Sequence, residues 1–213
     1  ALSFAILVVP SLARAQSGGL TAELAIASKY LDRGIQKGDL TWHPSVEYGY
    51  GDFYAGVWSA MPLENKGAPD FFSDEHDLYA GYGWALGDKI ALDLGATRYF
   101  LEDASDTFEA YVGLNGEFGT LSPSLYFYYD FDLETAAVEL STGVALPLEG
   151  FPVEARARVG WSESRTVSDY LYFGLDLVYP IKLGDRARLG LGLHYDDNDA
   201  GFGVPDRHLS ATA

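Results

Sequence analysis

Short stretches in which apolar and polar residues alternate recur along almost the whole chain. Residues 124–132 read SLYFYYDFD, so Leu125, Phe127, Tyr129 and Phe131 fall on one face and the intervening polar residues on the other. Successive side chains of a β-strand point to opposite sides of the sheet, so this period of two predicts extended strands. About twelve such segments follow one another, and they indicate an all-β fold.

The links between the segments alternate between short and long. The predicted strands cover residues 20–30, 40–50, 53–61, 77–86, 89–100, 107–118, 121–132, 136–146, 153–161, 170–181 and 186–195, and a last one begins near His208. Links after even-numbered strands are tight and glycine-centred, whereas those after odd-numbered strands are longer and polar, except after the seventh. Short turns at one rim and longer loops at the other are typical of bacterial outer-membrane barrels. We therefore predict an antiparallel, up-and-down transmembrane β-barrel of about twelve strands.

Segment length separates this fold from most soluble all-β folds. A transmembrane strand needs about 9–11 residues, whereas the strands of a sandwich repeat about every 8–12 residues with their turns included. The segments here fit the longer requirement. A soluble periplasmic, lipocalin-like binding barrel also alternates and closes its edges, and it stays as an alternative.

The charge, the cysteine count and the mean hydropathy of the chain limit the classes of protein to which it can belong. The net charge of −17 argues against a nucleic-acid partner, because phosphate binding requires clustered Lys and Arg. There are no cysteines, so hydrogen-bonded strands rather than disulfides must stabilise the fold. The mean hydropathy of −0.02 is compatible with a membrane barrel, which needs only one apolar face per strand.

The first residues of the chain resemble a targeting segment. An apolar run is followed by Ala13-Arg14-Ala15, a small-x-small cleavage pattern, and the run is too short to cross a bilayer as a helix. We predict that residues 1–15 are a secretory signal peptide truncated at its start. Residues 16–213 then form the barrel, with an incomplete last strand.

Three motifs in the first part of the chain resemble the TorF family of porins, which are outer-membrane proteins of Gram-negative bacteria. Residues 28–36, SKYLDRGIQ, are similar to the family's S-x-Y-x-x-R-G-I motif, although Gln36 follows directly where an intervening Ser is expected. Residues 53–59, FYAGVWS, and 76–82, HDLYAGY, resemble two further family motifs. The resemblance implies an outer-membrane location and a barrel fold, and it implies no particular solute.

Charged residues on the polar strand faces are candidates for the lining of a pore. An Arg or Lys facing hydrocarbon near the bilayer midplane costs about 2–4 kcal/mol, so these side chains are expected to face the lumen. The predicted pore-lining set is Glu23, Glu47, Glu109, Glu117, Asp130, Glu139, Glu154, Arg156, Arg158, Asp176 and Arg188. Its acidic excess predicts a water-filled pore with a mild cation preference. The alternative is a plug of mutual Arg–Glu pairs, because about twelve strands lie between filled and open barrels.

Two further sets complete the candidate sites. Arg33 and Gly34 lie where the first strand enters the first long link. Arg33 is predicted to pair with a carboxylate of a neighbouring strand, and the alternative is that it anchors the loop or binds anions at the mouth. Aromatic residues near the segment ends predict membrane-interface girdles. They are Trp42, Trp84, Phe100, Phe108, Phe118, Phe131, Trp161, Phe173, Tyr179 and Tyr195.

The sequence gives weaker support for metal binding and for catalysis. Acidic clusters at the long links, among them Glu75, Asp77 and Asp196, are interpreted as solvated loops, with a calcium loop as the alternative. His43 and Ser45 share a strand face, but no recognisable nucleophile motif accompanies them. We predict no enzymatic activity, no cofactor and no metal.

The sequence therefore predicts an outer-membrane porin for passive diffusion of small hydrophilic solutes. The expected partners are outer-membrane lipid and lipopolysaccharide, the solutes themselves and the barrel-assembly machinery during biogenesis. A non-conducting structural or adhesive barrel is the alternative in the same membrane. The oligomeric state is left open.

Overall fold

The computed structural model of the chain describes residues 18–66, 73–146, 148, 152–163, 165, 168–201 and 207–213. The described residues contain the strands β1 Gly19–Ala27, β2 Tyr30–Asp32, β3 Ile35–Gly38, β4 Thr41–Tyr50, β5 Phe53–Pro62, β6 Glu75–Ala85, β7 Ile90–Leu101, β8 Thr107–Gly116, β9 Leu121–Asp130, β10 Thr135–Leu146, β11 Val153–Ser162, β12 Tyr170–Lys182, β13 Arg188–Asn198 and β14 Arg207–Thr212. The described part of the chain has no helix long and apolar enough to cross a membrane. The predicted signal peptide, residues 1–15, lies outside the described residues.

All strands except β2 and β3 form one closed antiparallel barrel. Its order around the ring is β1-β14-β13-β12-β11-β10-β9-β8-β7-β6-β5-β4, so each strand from β4 onward pairs with its neighbour in sequence. β1 closes the ring by pairing with both β4 and β14, with Ala27 opposite Thr212. The predicted all-β, twelve-stranded up-and-down barrel is confirmed.

The alternation predicted most strand boundaries to within two or three residues. The first predicted strand is wrong at its end, because β1 stops at Ala27 and the chain bends at Ser28 and Lys29. The predicted first strand, residues 20–30, would place Tyr30 on the same outward face as Leu20, and this is wrong. Tyr30 lies in β2, where it is buried. The polar link predicted for residues 32–39 is wrong as well, since β2 and β3 form a separate hairpin there.

The barrel wall has an apolar outside and a polar inside. Outward side chains such as Leu24, Leu140 and Leu177 are 61%, 51% and 48% exposed, although they belong to regular strands. The strand pairings place Asp and Glu inward almost throughout. On the outward face of the described strands, Asp, Glu, Lys and Arg occur only at Arg98, Asp197 and Arg207, each near the rim with the longer links.

Tyrosine side chains cover glycines of neighbouring strands on the inner wall. A Cβ at Gly81 in β6 would lie 2.2 Å from the Oη of Tyr54 and 2.9 Å from the carbonyl oxygen of Leu94. Gly56 is covered in the same way by Tyr79, and Gly95 by Tyr111. These glycines let the tyrosine rings lie flat against the wall, and this keeps the rings out of the centre of the lumen.

Replacing such a glycine is expected to destabilise the barrel. Gly81→Ala forces Tyr54 or the β7 backbone to shift, and overpacking of this kind costs about 1–3 kcal/mol. Gly49→Ala is the matched control, because its nearest atom, the carbonyl oxygen of Phe53, is 3.9 Å away. Urea unfolding in detergent, followed by tryptophan fluorescence, measures the difference. Equal unfolding midpoints for the two variants would contradict the packing argument.

Candidate functional site

The β2–β3 hairpin has a tight turn at its tip. Arg33 and Gly34 are its two central residues, with φ of 46° and 78°. Positive φ at both positions is typical of a type I′ turn, which favours Gly or Asn and is strained for an Arg. The structure therefore holds Arg33 at the tip at a conformational cost. Strain of this kind is characteristic of functional positions.

The tip of the hairpin crosses the lumen. Arg33 Nη2 donates to Glu109 Oε2 on β8 at 2.7 Å, and the guanidinium carbon lies 4.8 Å from the ring centre of Tyr128 on β9. The hairpin starts from β1, and β9 lies six strands from β1 in both directions around the ring. Arg33 thus reaches the opposite wall, whereas the sequence predicted a partner on a neighbouring strand.

The Arg33–Glu109 ion pair is largely withdrawn from solvent. The side chains are 23% and 5% exposed. Burial by itself would lower the pKa of the Arg33 guanidinium, but the negative charges of Glu109 and Asp32 raise it well above its usual value. Arg33 is therefore a permanent cation, and its removal would leave a buried carboxylate uncompensated.

Further contacts fix the hairpin to other parts of the wall. The Tyr30 hydroxyl donates to Glu75 Oε2 on β6 at 2.9 Å. On the other side, Asn198 Nδ2 of β13 donates to the carbonyl oxygen of Gly34 at 2.8 Å. A Cβ at Gly34 would lie 2.8 Å from the Cβ of Tyr172, so only glycine fits at this approach. The hairpin is a fixed constriction inside the barrel.

A cavity of about 360 Å³ lies between the hairpin and the wall. Its ionisable lining has more acids than bases. The carboxylates are Asp32, Glu75, Asp77, Asp93, Glu109, Asp130 and Glu139, and the cationic groups are Arg33, Lys37 and Arg156.

Hydroxyl groups form a polar band along one side of the cavity. Tyr54 donates to Asp93 Oδ1 at 2.8 Å and lies 2.6 Å from the Tyr111 hydroxyl, and Tyr126 donates to Asp93 Oδ2 at 2.9 Å. Tyr79 donates to Glu47 at 3.0 Å. Hydrogen-bonded hydroxyl and carboxylate groups thus line this side of the lumen.

Arg158 is the centre of a buried network on the opposite part of the wall. Its guanidinium pairs with Asp176 Oδ2 at 2.7 Å and with Asp196, which is fully buried. Asp176 Oδ1 also lies 2.8 Å from Nδ1 of His194. This network joins β11, β12 and β13, and it leaves Arg158 occupied by structural contacts.

The strand pairings place all but one of the predicted pore-lining residues on the inner face of a strand. Glu117 differs, because β8 ends at Gly116 and Glu117 is exposed beside the turn that follows. Sequence reasoning missed Asp77 and Asp196 by assigning them to loops, whereas both are buried on the inner faces of β6 and β13. Asp77 already falls at an inward position of the predicted strand 77–86, and Asp196 would do so if the predicted strand 186–195 were one residue longer.

The predicted aromatic residues lie on the outer face, close to strand ends. Phe108 and Phe131 contact each other with ring centres 5.8 Å apart at the rim with the longer links. Trp84 is 60% exposed near the opposite rim. Phe118 lies two residues beyond β8 in an isolated bridge with Leu121 rather than within a strand, as predicted. Their placement at both rims is compatible with interface girdles, whose role stays a prediction.

The structure offers little support for the other site chemistries. Within the described ranges, no group of three or more His, Cys, Asp or Glu is arranged to hold a metal ion. His43 stacks on Trp58 at 5.0 Å between ring centres inside the barrel.

Comparisons with known proteins give a family without an assigned function. The sequence model of a family described as "Bacterial protein of unknown function (Gcw_chp)" matches residues 13–202. No curated protein matches the chain.

Among solved structures, the chain is similar to several channel proteins. A porin refined at 1.8 Å resolution is 18% identical, with a TM-score of 0.42 over 81% of this chain and 60% of its own. OccK1 (OpdK) and OprD of Pseudomonas aeruginosa are 15% and 12% identical, with TM-scores of 0.47 and 0.46. Each alignment with these two covers 92% of this chain, and 64% and 66% of theirs. The chain thus spans about two thirds or less of the length of these barrels.

Proposed function

We propose that this chain, which belongs to the Gcw_chp family of bacterial proteins of unknown function, is an outer-membrane channel for the passive diffusion of small hydrophilic solutes. The observation that carries the proposal is the combination of an apolar exterior, a charged lumen and a fixed internal constriction. The protein acts as a channel rather than an enzyme.

The exterior of the barrel supports a membrane location. Leucines, valines and aromatic rings cover it, with exposures of 72% at Leu20 and 54% at Leu171. Contiguous apolar surface around a whole barrel would aggregate in water, but it matches the hydrocarbon layer of a bilayer. The outward charges at Arg98, Asp197 and Arg207 lie at one rim, where headgroups and water accept them. A closed barrel also leaves no strand edge unpaired in lipid.

Two sequence features support the same location. The resemblance to TorF porins favours the outer membrane, and so does the predicted signal peptide in residues 1–15. The soluble lipocalin-like alternative is disfavoured by the outward apolar belt, because a soluble barrel needs a polar exterior.

The cavity favours conduction over a filled plug. The hairpin narrows the lumen but leaves space bounded by charged and hydroxyl-bearing side chains. Seven carboxylates face three cationic groups there, so the channel prefers cations mildly. The constriction restricts passage to small solutes.

Planar-bilayer recording of the refolded chain tests the proposal. We expect discrete single-channel steps in KCl and a reversal potential in a salt gradient that reports preference for K⁺ over Cl⁻. Preference for Cl⁻ would overturn the charge argument alone. The absence of steps at any voltage, with the barrel folded by heat-modifiable gel migration, would favour the non-conducting structural barrel.

A further inference from the structure

Three tyrosine side chains surround one carboxylate on the inner wall of the barrel. Tyr54 donates its hydroxyl hydrogen to Asp93 Oδ1 at 2.8 Å, and Tyr126 donates to Asp93 Oδ2 at 2.9 Å. Because this uses the one hydroxyl hydrogen of Tyr54, the Tyr111 hydroxyl, 2.6 Å away, is the donor to Tyr54. Asn115 Nδ2 donates to the Tyr126 hydroxyl at 2.9 Å. Both oxygens of Asp93 thus act as acceptors, as expected of an ionised carboxylate.

The charge of Asp93 is stabilised by hydroxyl groups rather than by a cation. The residue is 5% exposed. Among the described residues it forms no ion pair. The cationic groups that line the same cavity act on other carboxylates: Arg33 on Glu109, Lys37 on Glu75, and Arg156 on Glu139. The negative charge at the tyrosine network is therefore not cancelled by these groups.

The tyrosine rings of this network lie along the wall of the cavity. Tyr126 is opposite Gly113 in the pairing of β8 with β9, and a Cβ at Gly113 would be 2.2, 2.5 and 2.6 Å from three atoms of the Tyr126 ring. Tyr54 and Tyr111 cover glycines of their neighbouring strands in the same way, with the hydroxyl end of the ring. All three tyrosines line the cavity. The face of the Tyr126 ring that is turned away from Gly113 therefore points toward the cavity.

One cation of the chain already lies on a tyrosine ring of this wall. The guanidinium carbon of Arg33 is 4.8 Å from the centre of the Tyr128 ring, which is the distance of a cation–π contact. Tyr128 is next to Tyr126 on the inner face of β9, with ring centres 5.7 Å apart and 19° between the ring planes. Glu109 compensates the charge of Arg33. The inner face of β9 thus binds a cation at Tyr128 and has a second ring of similar orientation at Tyr126.

We propose that Tyr54, Tyr111 and Tyr126, held around Asp93, form a binding site for organic monocations of the quaternary ammonium class. The cation lies against the rings, whose negative π faces attract it, and the charge of the hydrogen-bonded Asp93 strengthens this attraction. K⁺ gains less, because the buried oxygens of Asp93 already accept hydrogen bonds and cannot replace its water. The cavity of about 360 Å³ lies in the size range of small-molecule sites. This proposal rests on the proposed channel function and specifies a solute class for it.

Calorimetric titration of the folded full chain tests the site without requiring conduction. The chain is kept in dodecyl maltoside, because this detergent has no ammonium headgroup that would compete. The probe is choline, and its matched neutral analogue is neohexanol, the alcohol in which carbon replaces the nitrogen of choline. We expect choline to bind at least tenfold more tightly than neohexanol. At equal ionic strength, tetramethylammonium is expected to bind more tightly than ammonium, because it loses its water more easily and contacts more of the ring surface.

Substitutions then locate the site on the inner wall. Tyr126→Leu should lower choline affinity at least tenfold, whereas Tyr126→Phe, which keeps the ring, should lower it less. Asp93→Asn should lower the affinity for choline and leave that for neohexanol unchanged, because only choline is charged. The matched controls are Tyr129→Leu on the outer face of β9 and Asp88→Asn in the exposed turn after β6, and neither should change binding.

The outcomes separate the cation site from the proposed channel function. Equal affinity for choline and neohexanol, ammonium binding as tight as that of tetramethylammonium, or unchanged choline binding in folded Tyr126→Leu and Asp93→Asn overturns the cation site. Choline binding with the expected variant pattern but without single-channel steps overturns the channel and leaves the site in place. Single-channel steps without choline binding do the reverse. Heat-modifiable migration of each variant on gels shows that it is folded.

Discussion

Arg33→Ala is expected to raise the single-channel conductance several-fold. The substitution removes the 2.7 Å ion pair with Glu109 and the contact with Tyr128, which together hold the tip of the hairpin against the opposite wall. It also leaves Glu109 buried without its partner, which costs about 3–5 kcal/mol when one member of a buried pair is removed. The hairpin is therefore expected to leave its docked position, and the lumen widens. Planar-bilayer recording measures the conductance.

Two further variants separate the widening from a simple change of charge. Glu109→Gln releases the same contact but removes a negative charge, so conductance should rise while preference for K⁺ falls. Preference for K⁺ should increase in Arg33→Ala. Arg98→Ala is the matched control, because its ion pair with Asp132 is 3.0 Å long between side chains that are 38% and 49% exposed. Unchanged conductance in both hairpin variants would show that the hairpin does not limit passage.

Arg158→Leu is expected to destabilise the barrel by about 3–5 kcal/mol. Arg158 is 5% exposed and is the counter-ion of Asp176 and Asp196, whose side chains are 12% and 1% exposed. Removing it leaves two acidic groups in the interior of the wall. The free energy of unfolding in urea, followed by tryptophan fluorescence in detergent, measures the loss.

Arg207, an exposed arginine near the same strands, provides the control for the loss of stability in Arg158→Leu. Arg207 pairs with Asp197 at 3.1 Å, but its side chain is 78% exposed, so Arg207→Leu should cost no more than about 1 kcal/mol. Combining Arg158→Leu with Asp176→Asn and Asp196→Asn should restore part of the stability, because the unpaired charges are then absent. Equal losses for Arg158→Leu and Arg207→Leu would contradict a structural role for the network.

The sequence predicted the barrel well because period-two alternation is a local property. Within each strand, the alternation shows which side chains face inward, and these are the residues that line the lumen. The inward hairpin depends on other information. Its turn carries Arg33-Gly34, a pair outside the usual Asn-Gly signal, and the residues around it are interpreted from sequence as a longer, polar link.

Contacts between distant strands also could not be predicted from the alternation of apolar and polar residues. The pairing of Arg33 with Glu109 exists only because the ring closes. Alternation gives the direction of a side chain but neither its height along the barrel axis nor its partner. The alternation therefore could not show that Arg158 forms two ion pairs, whereas no ion pair of Arg156 occurs among the described residues.

The short link between β9 and β10 makes the entrance of the barrel uneven. Only residues 131–134 join these strands, at a rim where residues 63–74 join β5 to β6. A solute diffusing along the membrane surface can enter from the low side without passing a long loop. The Arg98–Asp132 ion pair lies on the outer face near this low side, and the Arg33–Glu109 ion pair lies on the inner face of the same part of the wall. In the proposed channel, the low side of the entrance is therefore next to the wall that holds the tip of the hairpin.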